Sequence, residues 1–68
     1  MIIYVDAKQF NSALDSPTSG DLAILLQSVG LHRGDAYSVA KDIRKQFPQK
    51  VQGVQMVSIQ LPDWINVA

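Results

Sequence analysis

The sequence predicts a small α+β fold in which a two- or three-stranded sheet packs against two or three short helices. Apolar segments typical of strands lie near both ends of the chain, and apolar residues recur at helical spacing between them. The predicted strands cover residues 2–5 and 54–61, with a third option at 64–67. The predicted helices cover about residues 7–14, 20–29 and 36–47. At 68 residues the chain is long enough for one domain and too short for two, so residues 1–68 are assigned to a single domain.

The first strand is predicted from the unbroken apolar run Ile2-Ile3-Tyr4-Val5. β-branched and aromatic residues favour strands, and a run without polar alternation is typical of a strand that is covered on both faces. We therefore expect an inner strand.

The first helix is predicted directly after this strand, with Asp6 in the position of an N-cap. Its apolar residues fall at i, i+3 and i+4, as on one face of a helix, and are Phe10, Ala13 and Leu14. The segment Ser-Pro-Thr-Ser-Gly at 16–20 ends the helix and forms a loop.

The second helix carries more apolar residues than one helix face can hold. Thr18 and Asp21 have the spacing of a capping box, with Asp in place of Glu or Gln. The apolar residues of this helix are Leu22, Ala23, Ile24, Leu25, Leu26 and Val29. Such a helix is either central or lies in a subunit interface. We therefore expect a homo-oligomer with Ile24 and Leu25 at the interface.

The third helix has the most regular pattern. Gly30 is the expected end of the second helix, and Asp35 is the expected N-cap of the third. The apolar residues fall at i, i+3, i+4, i+7 and i+11 and are Ala36, Val39, Ala40, Ile43 and Phe47. Pro48 prevents the helix from continuing.

The last part of the chain has β-type sequence after Gly53, where we expect a bulge or a turn. Val57, Ile59 and Leu61 alternate with polar residues, which indicates a strand with one covered face. We expect Trp64 in the core, as is usual for a single tryptophan in a small domain. The first and last strands are expected to pair, and the sequence leaves open whether they run parallel or antiparallel.

The sequence lacks the side chains that most enzymes and metal sites use. It contains no cysteine and a single histidine, His32, and all its acidic residues are aspartates. His32 has no second imidazole or thiol to complete a metal site or a nucleophile–base pair. Asp6 is better explained as an N-cap than as a metal ligand, because such metal sites need several converging carboxylates. We therefore expect no catalytic residue, no metal and no cofactor.

Positive charge is concentrated on the third helix, although the net charge is zero. Residues 31–50 hold five of the six Lys and Arg residues. The candidate partner-binding residues are Tyr37, Lys41, Arg44 and Lys45 opposite the apolar stripe, Arg33 just ahead of them, and Trp64 in the tail. An aromatic residue among cations suits an acidic protein surface or phosphates, and a net charge of zero favours the protein. An ordinary solvated helix face explains the same pattern.

These observations favour a small non-enzymatic interaction protein, a stand-alone inhibitor or adaptor of the size common among phage and bacterial accessory proteins. We expect it to bind an acidic surface of a partner protein and to act as a homo-oligomer. The N-terminus lacks the pattern of a secretory signal, and no segment is long enough for a membrane span. The expected location is therefore the cytoplasm, without membrane contact.

The alternative function is DNA binding. A helix, a glycine-containing turn and a second helix over residues 22–47 have the order of a helix-turn-helix, in which the helix at 36–47 would read DNA. Leu26 stands where that motif prefers alanine, and any αα-hairpin shares the order. A small-molecule or nucleotide-binding role at an oligomer interface is a third option.

Overall fold

In a computed structural model, which describes residues 1–65, the chain forms two strands and three helices. In chain order these are β1 (Ile2–Asp6), α1 (Ala7–Asp15), α2 (Gly20–Ser28), α3 (Arg33–Gln46) and β2 (Met56–Gln60). The predicted α+β class is confirmed. The optional third strand at 64–67 is not present in its described part, because Trp64 lies in a turn and Ile65 in no strand. Its remainder, residues 66 and 67, lies outside the described residues.

Strands β1 and β2 pair antiparallel, which answers the question of strand direction. Ile2 lies opposite Gln60, and Val5 lies opposite Val57. Side chains alternate between buried and exposed along both strands, and the buried ones are Ile3, Val5, Val57 and Ile59. The expectation that β1 is covered on both faces is wrong. The helices pack on one face only, and nothing within residues 1–65 covers the other.

Helix α1 begins at the predicted place because Asp6 caps it. Oδ2 of Asp6 accepts a hydrogen bond of 3.0 Å from the backbone N–H of Gln9. Phe10 is fully buried and meets Phe47 edge to face, with ring centroids 5.2 Å apart. This contact joins α1 to the residue that follows α3.

The start of α2 differs from the predicted capping box between Thr18 and Asp21. The N-cap residue is Ser19, and its side chain makes no capping hydrogen bond. Oγ1 of Thr18 instead accepts a hydrogen bond of 3.3 Å from the backbone N–H of Gly20, two residues on. The threonine hydroxyl is therefore used within the loop, in the local pattern that competes with helix capping.

Helix α3 begins at Arg33, earlier than predicted. The carbonyl of His32 accepts a hydrogen bond of 2.8 Å from the N–H of Ala36, which makes His32 the N-cap residue in place of Asp35. Asp35 lies in the first turn, where a carboxylate is favourable beside the positive end of the helix dipole. Gly30, with a φ of 109°, makes the tight turn that separates α3 from α2.

A single core joins the inner face of the sheet to the buried stripes of the helices. Its largest fully buried side chains are Phe10, Leu22, Leu26, Ile43, Ile59 and Leu61. The predicted stripe of α3 is confirmed for Ala36, Val39, Ala40 and Ile43. Within residues 1–65 no polar or charged side chain is buried. None of the helices in this range is both long enough and apolar enough to cross a bilayer.

The segment between α3 and β2 is fastened to α1 by Asn11. Its Nδ2 donates a hydrogen bond of 2.8 Å to the carbonyl of Val51, and its Oδ1 accepts one of 2.9 Å from the N–H of Val51. The nearby ion pair between Lys50 and Asp15 measures 2.8 Å but is more than half exposed, so it adds little stability. Asn11 therefore fixes the approach of the chain to β2.

We expect Ile43→Ala to lower the free energy of unfolding by about 2–5 kcal/mol, because truncation of a fully buried side chain leaves a cavity. The matched control is Ile24→Ala. Ile43 is 1% exposed and Ile24 is 63% exposed, so the control should change stability by about 0.5 kcal/mol or less. Urea unfolding followed by circular dichroism measures both. Equal losses in the two variants would contradict the placement of the α3 stripe in the core.

Candidate functional site

The side of the sheet that faces away from the helices is exposed and partly apolar. We call it the outer sheet face, and it consists of Ile2, Tyr4, Asp6, Met56, Ser58 and Gln60. Ile2, Tyr4 and Met56 are 52%, 62% and 51% exposed. Single exposed apolar residues are normal, but these three share one face. Because a strand directs alternate side chains to opposite sides, a change of rotamer cannot bring them into the core.

The register makes the three apolar side chains of the outer sheet face neighbours. Tyr4 follows Ile2 on the same face of β1, and it lies opposite Ser58, so that Met56 is a diagonal neighbour. Diagonal neighbours are about 7–8 Å apart, within reach of aromatic and long side chains. Together the three expose on the order of 400 Å² of a total surface of 4470 Å². That is the size of the largest apolar patch on many monomers, which is often functional.

The outer sheet face ends in a depression of about 360 Å³ where α1 and β2 begin. The depression is lined by Asp6, Ala7, Lys8, Val54, Gln55 and Met56. Val54 is 51% exposed and adds a fourth apolar side chain beside Met56. The depression has the size to accept one large side chain from a partner protein, the kind of contact on which interface affinity depends.

Four of the predicted partner-binding residues are exposed on α3. They are Arg33, Tyr37, Lys41 and Lys45. Asp42 lies three positions before Lys45, at the spacing of neighbours on a helix surface, and is exposed as well. The exposed side of α3 therefore carries charges of both signs rather than a continuous basic surface.

The predicted position of Arg44 opposite the buried stripe is wrong. At about 100° per residue, Arg44 lies roughly a quarter-turn from the centre of that stripe. Its Nη1 donates hydrogen bonds of 3.0 Å to the carbonyl of Ser16 and 2.6 Å to the carbonyl of Thr18. The side chain is partly buried and holds the loop between α1 and α2 against α3.

The expectation that Trp64 lies in the core is wrong, since its side chain is 60% exposed. The following residue, Ile65, occupies the core instead and is 5% exposed. The N–H of Ile65 donates a hydrogen bond of 3.1 Å to the carbonyl of Pro62, which closes a turn and directs Trp64 outward. Trp64 is thus exposed, as a partner-binding residue must be.

Helix α2 exposes one of the two residues predicted for a subunit interface. Ile24 is 63% exposed, whereas Leu25 is partly buried. Both line a groove of about 360 Å³ between α1 and α2, together with Gln9, Ser12, Ala13, Asp21 and Ser28. The core absorbs much of the remaining apolar excess of the helix, namely Leu22, Ala23 and Leu26. A subunit interface at α2 stays a prediction that depends on Ile24.

His32 is exposed at the start of α3. Within the part of the chain that the structure describes, no three His, Cys, Asp or Glu side chains converge to hold a metal ion.

The alternation of residues in β2 was sufficient to identify the outer sheet face from the sequence. In β2, Met56 lies two and four positions before Ser58 and Gln60, so the alternation places it with them on the uncovered side. A strand paired with β2 must also turn every second residue outward, and this applies to Ile2 and Tyr4 despite their apolar character.

Comparison of the chain with protein-family models, with curated proteins and with solved structures finds no match. The surfaces described above are therefore the basis for any functional proposal.

We expect Arg44→Ala to lower stability by about 1–2 kcal/mol, because two loop carbonyls lose a charged donor in a partly buried setting. Lys45→Ala is the matched control, since Lys45 is the adjacent basic residue and is exposed. Differential scanning fluorimetry should show a drop of several degrees in Tm for Arg44→Ala and almost none for Lys45→Ala. An unchanged Tm for Arg44→Ala would mean that the loop is held without this side chain.

Proposed function

We propose that the protein is a small non-enzymatic interaction protein that binds a partner protein through the outer sheet face. The observation that carries the proposal is the grouping of Ile2, Tyr4 and Met56, each more than half exposed, on one face of the sheet. A partner that covers them removes apolar surface from water, at a gain of roughly 25 cal/mol per Å². An inhibitor or an adaptor acts in this way, by occupying a surface of another protein.

The composition of the outer sheet face supports this role. Tyrosine and methionine are enriched in the centres of protein interfaces, and Ser58 and Gln60 supply the polar margin that such interfaces have. The depression beside Met56 and Val54 offers a pocket for an anchoring side chain. The outer sheet face contains no Lys or Arg, so shape and apolar contact should select the partner more than charge.

The exposed residues of α3 are a secondary contact region in this proposal. Lys41 and Lys45 favour an acidic partner surface, and because the helices pack on the inner face of the sheet, this contact lies on a different side of the protein from the outer sheet face. Tyr37, which is 43% exposed, adds an amphipathic side chain between them and Arg33. Trp64 is a further exposed aromatic residue available for contact.

DNA binding through α3 is the second candidate function. It is favoured by the tight turn at Gly30, which separates α2 from α3 as in a helix-turn-helix. Two features weigh against it: Arg44 is committed to loop carbonyls, and Asp42 places negative charge beside Lys45. Contacts to phosphates weaken steeply with added salt, whereas apolar protein interfaces do not.

We expect Met56→Lys to reduce partner binding while the protein stays folded. The lysine places a charge in the apolar patch, yet Met56 is exposed and lies opposite Asp6, which offers the new ammonium a cross-strand ion pair. The immobilised protein is used to capture partners from a lysate of the source organism. The recovered partner should fall by about tenfold or more relative to the unmodified protein, with unchanged circular dichroism and Tm.

Met56→Leu is the matched control, because it keeps an apolar side chain of similar volume and should retain binding. The pair Lys41→Glu and Lys45→Glu, introduced together, tests α3 without disturbing Arg44. Binding that survives Met56→Lys but is lost in the α3 double variant would contradict the proposal. Recovery of nucleic acid that disappears with added salt would favour the DNA-binding alternative.

A further inference from the structure

Each strand of the sheet has one edge that no other strand of residues 1–65 occupies. The N–H of Ala7 donates a hydrogen bond of 2.9 Å to the carbonyl of Gln55, so the backbone groups at this position point toward β2. In an antiparallel pair the backbone groups of successive residues point alternately toward the partner strand and away from it. The N–H and C=O groups of Ile2 and Tyr4 therefore point away from β2.

Apart from its short length and the charged Asp6 at its end, the free edge of β1 lacks the devices that keep sheet edges from pairing. It contains no lysine, proline, glycine or bulge. No backbone hydrogen bond described outside the β1–β2 ladder uses the outward groups of Ile2 or Tyr4. The edge of β2 is more polar, with Ser58 and Gln60, and Pro62 follows closely after its end. Of the two edges, β1 is therefore the better template for another strand.

We propose that two copies of the chain join by antiparallel pairing of their β1 edges and form one four-stranded sheet. A two-fold axis lets the same edge serve both copies. With the axis at Ile3, Ile2 of each copy lies opposite Tyr4 of the other, and about four backbone hydrogen bonds use the outward groups of both residues. Registers shifted toward Asp6 place its carboxylate beside an apolar side chain or beside the second carboxylate, which disfavours them.

This register adds apolar contact on both faces of the joined sheet. On the outer side it pairs an aromatic with a β-branched residue, Tyr4 with Ile2, a favourable cross-strand combination. On the inner side it brings Ile3 of the two copies together at the axis. At 8% exposure, Ile3 is the most exposed of the buried core residues within 1–65, so the second copy covers the part of the core that the helices leave open.

The second copy also enlarges the surface that binds the partner, an argument that rests on the function proposed above. One outer sheet face exposes on the order of 400 Å² of apolar surface, and a standard interface uses about 800 Å² from each partner. Two faces joined at β1 bring the two apolar patches into one continuous surface that is closer to this size. The β2 strands and their depressions at Met56 remain at the two margins, where a partner can reach them.

The test uses the full chain made by chemical synthesis, with an N-methyl group on the backbone nitrogen of Tyr4. The methyl group removes the outward N–H and blocks the edge while the tyrosine side chain stays. N-methylation of Ser58 is the matched control, because its N–H points away from β1 on the other edge. By analytical ultracentrifugation the unmodified protein and the Ser58 control should have the mass of two chains. The Tyr4 variant should have the mass of one, with a dissociation constant raised by about tenfold or more.

Hydrogen exchange of the unmodified protein gives a second measurement that does not depend on the folding of a variant. The amide of Tyr4 should exchange about tenfold more slowly at millimolar than at low micromolar concentration, and the amide of Ser58 should not change. Ile24→Lys on α2 should keep the mass of two chains.

Three results overturn the proposal. The first is an unmodified protein with the mass of one chain at millimolar concentration, and the second is a Tyr4 variant that still has the mass of two. The third is dissociation by Ile24→Lys, which would move the contact to α2. Purified protein without a partner is used throughout. A negative result here therefore leaves the capture experiment with Met56→Lys unaffected, and the failure of either idea can be recognised separately.

Discussion

The pairing of β1 with β2 is the interaction on which the rest of the structure depends, because within residues 1–65 these two strands form the sheet that the helices cover. Their register turns Val5 and Val57 inward, where they face the buried side chains of the helices. A shift of β1 by one residue would send Val5 to solvent and bring Tyr4 inward. Helix α1 helps to hold both strands, through its cap at Asp6 and through the two bonds from Asn11 to the segment before β2.

Three short helices cover one face of a sheet and no more. In larger folds of this class a second layer of helices or another sheet covers the opposite face. Nothing within residues 1–65 covers that face here, so burial in the described core does not require apolar side chains on it. Ile2 and Tyr4 suit a strand, but the core of residues 1–65 gives no explanation for three exposed apolar side chains on one face. Binding to a second protein surface provides one.

Periodicity in the sequence was sufficient to predict the helices and the α3 stripe, because a helix that packs on a sheet buries every third or fourth residue. The start of α3 was missed because its N-cap, His32, makes no side-chain capping hydrogen bond, whereas capping propensity favours the aspartate nearby. Arg44 was misplaced because an arginine a quarter-turn from the stripe can reach back to a loop that the sequence does not position. In the same way, a local turn at Pro62 decides that Ile65 is buried and Trp64 is exposed.

The sequence of β1 alone does not show which of its residues face the core, and the reason is a different one. A run of four apolar residues has no alternation of its own, and only the partner strand shows which residues face the core. The alternation in β2 shows which side of the sheet is covered, but it can be applied to β1 only once the two strands are known to pair. The candidate site was therefore missed, although each of its residues was visible in the sequence.

The antiparallel sheet joins residues separated by most of the chain, and this separation affects when the outer sheet face exists. Closing so long a loop loses chain entropy before any strand pairing compensates for it, whereas the helices form from local contacts. On the ribosome β1 emerges first and has no strand to pair with until β2 has been synthesised. The apolar patch is therefore complete only after β2 has paired with β1. A partner that recognises it distinguishes chains in which the two strands have paired from chains in which they have not.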